Sequence, residues 1–315
     1  ARGHVRRTFH DRKLMILSSR VGSVQDGVRL DDAAKALFPQ LSKSQIRRII
    51  DLGGCAVNQV MVRVASRELN EGDEIIIGVM EPERFVDFRL KTEELLYDDR
   101  NYLALNKPTG INSQRTPYQL KGTAEYAVAL YLKEQAINEP ARVIHRLDRG
   151  TSGVMFFPKN KPAATYIAAE LKESRVEKIY WAIVSDLPEE QKWSVDAPIG
   201  KLNKFRYGVT LPGKPSVTEF RILSTSGRYA LIEARPLTGR THQIRVHLTH
   251  SGFPIVGDSP YGGAPAERMM LHCRSMSFIG KNNIKISASA PPDIRFAEFC
   301  KEAGLHIPAQ DSRCS

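Results

Sequence analysis

The chain has 315 residues, 42% of them hydrophobic and 26% charged, an ordinary balance for a folded globular protein and a length that predicts about two domains. Lys and Arg exceed Asp and Glu by 46 to 35, a net charge of +11, which points to nucleic acid or an anionic surface as partner. A run of roughly 18 apolar residues, the mark of a spanning helix, is missing, as is an apolar stretch after the basic N-terminus that would make a secretory signal. The cysteines Cys55, Cys273, Cys300 and Cys314 form no Cys-x-x-Cys pair, which argues against a zinc site or a disulfide framework and fits a reducing cytoplasm.

Residues 1–23 carry Arg2, Arg6, Arg7, Arg12, Lys13 and Arg20 with little apolar periodicity and read as a basic flexible arm. Residues 24–80 form the first unit. Apolar positions from Val28 to Phe38 recur at helical spacing and stop at Pro39. Ser42 then caps a second helix through Ile46, Ile49 and Ile50, which ends at Gly53-Gly54. Ala56 to Val62 reads as strand, turn and strand, and Gly72-Asp73 turns into a further strand at Glu74–Ile77. Lys43, Arg47 and Arg48 lie on or near one face of the second helix, with Arg63 and Arg67 following. That arrangement suits backbone phosphates, which are met by cations without reading sequence.

Residues 81–95 read as a linker and 96–302 as a larger unit, with 303–315 a tail. In the larger unit Leu96–Asp99 and Tyr102–Pro108 predict two strands, 158–173 a helix, and 179–184, 217–223 and 229–234 further strands. This order is α+β rather than repeated βαβ.

Several segments here carry chemistry. His145-Arg146-Leu147-Asp148-Arg149-Gly150-Thr151-Ser152-Gly153 sets one carboxylate between two cations, which keep it ionised, and follows it with a turn. A fixed, ionised Asp148 can act as a nucleophile or a base, and the arginines can meet phosphate. Asn106-Lys107-Pro108-Thr109-Gly110 ends a strand in a Pro-Gly turn. Lys178 to Val184 alternates as a strand, so Tyr180 shares a face with Lys178 and Ala182. In Pro236 to Leu248, Thr241 is a good helix cap and places His242 and Arg245 one turn apart; Gly252 and Pro254 stop the helix. His242, His247 and His250 share no face, so no metal is expected. Neither a phosphate loop nor a dinucleotide fingerprint is present, so no cofactor is expected.

These segments resemble, in order, the pseudouridine synthases that modify large ribosomal subunit RNA and some transfer RNAs. His-Arg-Leu-Asp-x-x-Thr-Ser-Gly is similar to their catalytic motif. Asn-Lys-Pro-x-Gly, Lys-x-Tyr-x-Ala-x-Val, Gly-Arg-Thr-His-Gln-Ile-Arg-Val-His, Gly257-Asp258-x-x-Tyr261-Gly262 and Leu271-His272-Cys273 follow the same pattern, except that Cys273 stands where alanine is common. The first unit resembles the RNA-binding module first seen in ribosomal small-subunit protein four. The resemblance implies a larger domain with a mixed, mostly antiparallel sheet flanked by helices and loops. It implies isomerisation of uridine in RNA to pseudouridine, with Asp148, Tyr180 and Arg245 catalytic and Arg245 the partner that holds Asp148 ionised and in place. Arg146, Lys107, Arg240 and His242 would bind substrate, and Lys43, Arg47, Arg48 and Arg63 would bind RNA. It implies no metal and no nucleotide cofactor, an RNA partner rather than a membrane, and a monomer in the cytoplasm. Whether Asp148 attacks the ribose carbon or ring carbon six, or acts as a base, stays open at this level.

Three other readings stand beside this one. A non-catalytic RNA-binding assembly factor would be expected to have lost Asp148, which is present. Hydrolytic removal of the base would need a second carboxylate to activate water, and no motif presents one. A membrane-surface protein would need a basic amphipathic helix with aromatic anchors, which is not evident.

Overall fold

The computed structural model describes residues 4–7, 14–80, 88–116, 119–203 and 206–308. The chain divides into two units, Ala1–Arg89 with Gln114–Leu130, and Leu90–Ser113 with Tyr131–Ser315.

The first unit begins with strands β1 (His4–Arg7) and β2 (Leu14–Arg20), followed by helices α1 (Leu30–Leu37) and α2 (Lys43–Leu52), a hairpin of β3 (Cys55–Val57) and β4 (Val60–Val62), and β5 (Glu74–Met80). The five strands form an antiparallel sheet in the order β1-β2-β5-β3-β4. The basic arm expected over residues 1–23 is corrected in its described part, residues 1–3 and 8–13 lying outside the described residues. Leu14–Arg20 pairs along its length with β5, and Leu17 is buried in the core that the sheet shares with α1 and α2.

Helix α2 starts with a capping box. The Ser42 hydroxyl accepts from the Gln45 backbone N–H, and the Gln45 side chain accepts from the Ser42 N–H. It stops at Gly53 in the left-handed conformation. Ile46, Ile49 and Ile50, three and four residues apart, are fully buried against Leu30, Ala34, Ile75 and Ile77. The Asn58-Gln59 turn has positive φ at both residues, the two-residue geometry that matches strand twist. Asn58 also joins this turn to the Gly72-Asp73 turn, donating to Asp73 at 2.7 Å and accepting from the Glu74 N–H at 2.9 Å.

The second unit opens with β6 (Leu95–Asp98) and β7 (Tyr102–Lys107). Helix α3 (Ala124–Glu134) follows in the chain, then β8 (Ser152–Pro158), α4 (Lys161–Lys172), β9 (Glu177–Ser185), β10 (Lys192–Asp196), a small hairpin of β11 (Ile199–Lys201) and β12 (Tyr207–Val209), and the long β13 (Val217–Ser226) and β14 (Tyr229–Pro236). Helix α5 (Gln243–His250), β15 (Leu271–Ile279), β16 (Lys285–Ser289) and α6 (Ile294–Glu302) complete it. The main sheet runs β10-β13-β14-β9-β15-β8-β7-β6, with β16 added to β15. Its β8–β15 pairing is parallel, and the other pairings are antiparallel. This is the mixed, mostly antiparallel α+β sheet that the sequence implied.

Two boundaries move. Of the linker expected over 81–95, residues 81–87 lie outside the described residues, while Leu90 is buried and Leu95 already belongs to β6. The tail expected from 303 is in part packed structure. Leu305 is buried in the same core as Phe296 and Ile232, and the His306 N–H donates to the Ser224 hydroxyl at 2.9 Å.

The parallel pairing brings β8 and β15 unusually close. Gly153 has φ +114°, and a Cβ there would meet the Cys273 carbonyl oxygen at 2.2 Å. Only glycine fits, which explains why the turn after Asp148 runs directly into glycine at the start of β8.

Candidate active site

Asp148 sits on the loop that leads into β8, and two sets of bonds fix that loop. The turn after β7 clamps it from one side. The Thr109 hydroxyl donates to the Gly150 carbonyl at 3.0 Å, the Gly110 N–H to the Arg149 carbonyl at 2.7 Å, and Arg149 Nε back to the Gly110 carbonyl at 2.9 Å. Buried Ser113 grips the residue just before Asp148, donating to the Leu147 carbonyl at 2.6 Å and accepting from its N–H at 2.9 Å. Such buried backbone groups must find partners, so these bonds decide where the carboxylate points.

The partner of Asp148 is not one of its flanking arginines. Arg149 is spent on Gly110, and Arg146 is exposed at the cavity rim. Instead Arg245 of α5 donates from Nη1 to Asp148 Oδ2 at 2.9 Å. The other edge of the Arg245 guanidinium forms a fork with Asp258, Nε to Oδ2 at 2.7 Å and Nη2 to Oδ1 at 2.8 Å. Its plane lies over the Tyr261 ring, 4.6 Å from the centroid. One guanidinium thus ties Asp148 to a buried carboxylate and an aromatic floor. A planar fork does this and an ammonium cannot.

His242 approaches the same carboxylate, with Nε2 at 3.7 Å from Asp148 Oδ2. Its Nδ1 shares a hydrogen bond of 2.8 Å with the Tyr261 hydroxyl, which also accepts from the Tyr207 N–H at 3.1 Å. Burial lowers the imidazole pKa against the opposing pull of Asp148. Thr241 is not the helix cap that the sequence suggested. His242 itself holds the cap position with φ +58°, and that left-handed backbone turns its ring toward Asp148. The loop before it is braced by Gln243, whose Oε1 accepts from the Arg240 N–H and the Thr238 hydroxyl.

Asp148, His242 and Arg245 line a cavity of about 530 Å³ together with Arg146, Lys178, Tyr180 and Arg240. Tyr180 stands on β9 opposite Cys273 of β15. Burial, with contributions from Cys273 and Asp148, raises its phenol well above the ordinary range, and burial pushes the Cys273 thiol up to about 12. Both are protonated at neutral pH. Arg240 is exposed and donates from Nε to the Pro215 carbonyl at 3.1 Å.

Lys107, expected to bind substrate, does not line the cavity. It is fully buried, and its ammonium donates at 2.8 Å to the carbonyls of both Pro108 and Ile111. Burial and the nearby charge of Arg268 outweigh Asp148 and lower its pKa to about 7. Its place is inside the turn that clamps the Asp148 loop. The histidine that opens the motif is likewise structural. His145 Nε2 accepts from the Phe156 N–H at 3.0 Å, and burial followed by the charge of Lys178 lowers its pKa to about 3.

In the first unit, the cations expected to bind RNA all hold intramolecular partners: Lys43 pairs with Asp32, Arg47 with Asp31 at 2.6 Å, Arg48 with Glu125 at 3.3 Å, and Arg63 donates to the Asp51 carbonyl at 3.1 Å. The acidic partners, contributed by the first turn of α1 and by α3, were not weighed in reading that helix face. Lys43, Arg47 and Arg48 nonetheless remain 40–50% exposed. Among the described residues no group of three His, Cys, Asp or Glu side chains is placed to hold a metal ion, and no helix is long and apolar enough to cross a membrane.

Comparison with known proteins matches this architecture part by part. The RNA pseudouridylate synthase family matches residues 101–250, and the S4 domain family matches residues 28–75. A ribosomal large subunit pseudouridine synthase D of Haemophilus ducreyi is 33% identical over 255 residues, 80% of this chain and 78% of the relative. The chain belongs to the RNA pseudouridine synthase family. This pseudouridine synthase also shares 32% identity over 292 residues with a ribosomal large subunit pseudouridine synthase D of Borreliella burgdorferi, 87% of this chain and 89% of that one. Its fold matches the solved structure of human RNA pseudouridylate synthase domain containing 4 with a TM-score of 0.60 at 24% identity, over 69% of this chain and 95% of that one. The synthase is an isomerase that acts on RNA and converts uridine to pseudouridine.

Sequence reasoning missed four residues of this site. Ser113 has no local signal, because its partner is 34 residues away. Asp258 and Tyr261 entered only as members of a motif, without their contacts to Arg245, although an acid and an aromatic beside an arginine-bearing helix could have suggested the fork. Lys178 was noted only as sharing a strand face with Tyr180.

Proposed function

We propose that this synthase isomerises uridine in large-subunit ribosomal RNA and that Asp148 is its essential catalytic carboxylate. The observation that carries this is the Asp148 carboxylate, in the cavity and held by Arg245 at 2.9 Å beside Tyr180. A uridine inside a helix is out of reach, so the base must be flipped into the cavity at a cost of a few kcal/mol. Arg146, exposed at the rim, fills the vacated space in the stack. The uracil then lies on the Tyr180 ring, a contact worth about 1–3 kcal/mol. Asp148 adds to the ribose carbon or to ring carbon six, or removes a proton, and Arg245 keeps it aimed. The C1′–N1 bond breaks, the ring turns and C5 bonds to C1′, and Asp148 is freed as C5 displaces it from C1′, as its bond to C6 is eliminated, or as the abstracted proton returns to the ribose. The C5 proton leaves and N1 gains one, so composition is unchanged. Arg240 and His242 contact the substrate at the cavity wall. The S4-like unit anchors the RNA backbone through Lys43, Arg47, Arg48 and Arg63. On this reading the enzyme works as a monomer in the cytoplasm.

The test is modification of separate unmodified transcripts, large-subunit RNA, small-subunit RNA and a transfer RNA pool, read by carbodiimide treatment and primer extension. New pseudouridine stops confined to the large-subunit transcript are expected. Stops confined to transfer RNA would overturn the substrate assignment.

A further inference from the structure

Lys178 lines the cavity, and no task has been given to it so far. It lies on β9 two residues from Tyr180, so the two side chains stand on the same face, roughly 6–7 Å apart along the strand. Among the described residues its ammonium makes one hydrogen bond, a long one of 3.4 Å to the Thr238 carbonyl, and pairs with no carboxylate. The nearest acid in the cavity, Asp148, is already bound to Arg245. Burial lowers the Lys178 pKa, and the titratable groups about it offer little compensation. Cys273 stays a thiol, Tyr180 a phenol and His145 a neutral ring, while Lys172 of α4, Arg240 and His242 face it from the other walls. A half-buried cation without a counter-ion is costly unless an anion arrives to meet it.

The reaction produces such an anion. Attack at the ribose carbon breaks C1′–N1 with the electron pair passing to N1, and attack at ring carbon six drives a pair toward the C4 carbonyl. Removal of a ribose proton likewise expels the uracil with the N1 pair. Every route places negative charge on the uracil ring and its carbonyl oxygens before the C5 proton leaves and N1 is protonated. We propose that Lys178 is a catalytic residue that donates to a carbonyl oxygen of the uracil and stabilises the negative charge that develops there. The proposal rests on the assignment of Tyr180 as the platform under the base, since a pyrimidine on that ring brings its edge to Lys178. A backbone phosphate fits less well, because Arg146 and Arg240 are the exposed cations of the lining and Lys178 is partly buried, on the strand face it shares with Tyr180. A pre-positioned donor acting where charge appears costs no reorganisation at the moment of reaction.

The test compares wild type, Lys178→Met, Lys178→Arg and Asp148→Asn in single-turnover tritium release from RNA labelled at uridine C5, with RNA affinity measured for each. Lys178→Met is expected to slow the bound complex by about 10²-fold with affinity intact, the loss typical of removing one charge-stabilising donor. Lys178→Arg should recover part of that rate. It should also move the alkaline limb of the rate profile upward, because a guanidinium stays charged where the depressed lysine deprotonates. Titration of the uridine itself is common to all variants and cannot produce that difference. A Met variant as fast as wild type overturns the proposal, as does one that loses only RNA affinity, which would make Lys178 a phosphate contact. An Arg variant with an unmoved alkaline limb overturns it too. If Asp148→Asn retains wild-type rate, the reading of the whole site fails. If Asp148→Asn is inactive and Lys178→Met is not impaired, the failure belongs to Lys178 alone.

Discussion

Removing the Arg245 side chain should cost both stability and turnover, and the two losses can be separated. In the native fold Arg245 has three donors engaged, one on Asp148 and two on Asp258. The Arg245 side chain is 9% exposed and that of Asp258 1%, so solvent screening gives almost no relief. Arg245→Met strands the Asp258 carboxylate in the interior, and breaking a buried pair from one side costs about 3–5 kcal/mol. For a unit of this size each kcal/mol moves Tm by roughly 2–4 °C, so a fall of roughly 6–20 °C is expected in calorimetry. Arg245→Lys should fare little better, because one ammonium cannot serve both the fork and Asp148. The informative variant is Arg245→Met/Asp258→Asn. It removes the stranded charge and should regain most of the lost Tm, yet it leaves Asp148 unheld and should remain inactive in tritium release. A single Met variant that melts within about 2 °C of wild type, less than 1 kcal/mol on that scale, would refute the reasoning. So would a double variant no more stable than the single.

Two further expectations follow from groups that hold the frame. Ser113→Ala leaves both backbone groups of Leu147 without a partner in a buried place, a loss of about 1–3 kcal/mol; Tm and turnover should fall together, and unchanged turnover would remove Ser113 from the positioning of Asp148. In the first unit, burial raises the Asp31 carboxyl, but hydrogen bonds from Arg29 and Arg47 outweigh it and bring it from 3.8 down to about 2. A depressed folded pKa means that the stabilisation is complete above the ordinary carboxyl range and drains away as pH falls from 3.8 toward 2. Urea unfolding of the first unit should show that loss in wild type and not in Asp31→Asn, and identical acid profiles would contradict it.

Elements whose signal is local were legible in the sequence. Helix α2 announces itself through Ser42, Gln45, the isoleucine spacing and Gly53, and β9 through its alternation. The contiguous motifs single out Asp148, Tyr180, His242 and Arg245 because each motif is short and its residue types are constrained, and the fold brings these four to one cavity. Partnerships across distance had no signal in spacing or composition. The arginines next to Asp148 in sequence are not its partners, because adjacent side chains on a turn diverge, and Arg245, 97 residues away, was legible as the partner only through the family resemblance. Lys107 was assigned to substrate only through the family resemblance, and two carbonyls of its own turn consume the ammonium. The strand Leu14–Arg20 was masked by the basic residues around it, which suggested a solvated arm, while its pairing with β5 depends on residues 74–80.

The central claim is that Asp148 performs the isomerisation. Its most direct test is tritium release from RNA labelled at uridine C5, using wild type and Asp148→Asn on separate ribosomal and transfer RNA pools, with binding measured in parallel. Release by wild type from the ribosomal pool, and none by an Asp148→Asn variant that still binds that RNA, is the predicted result. Release by the variant at the wild-type rate would contradict it.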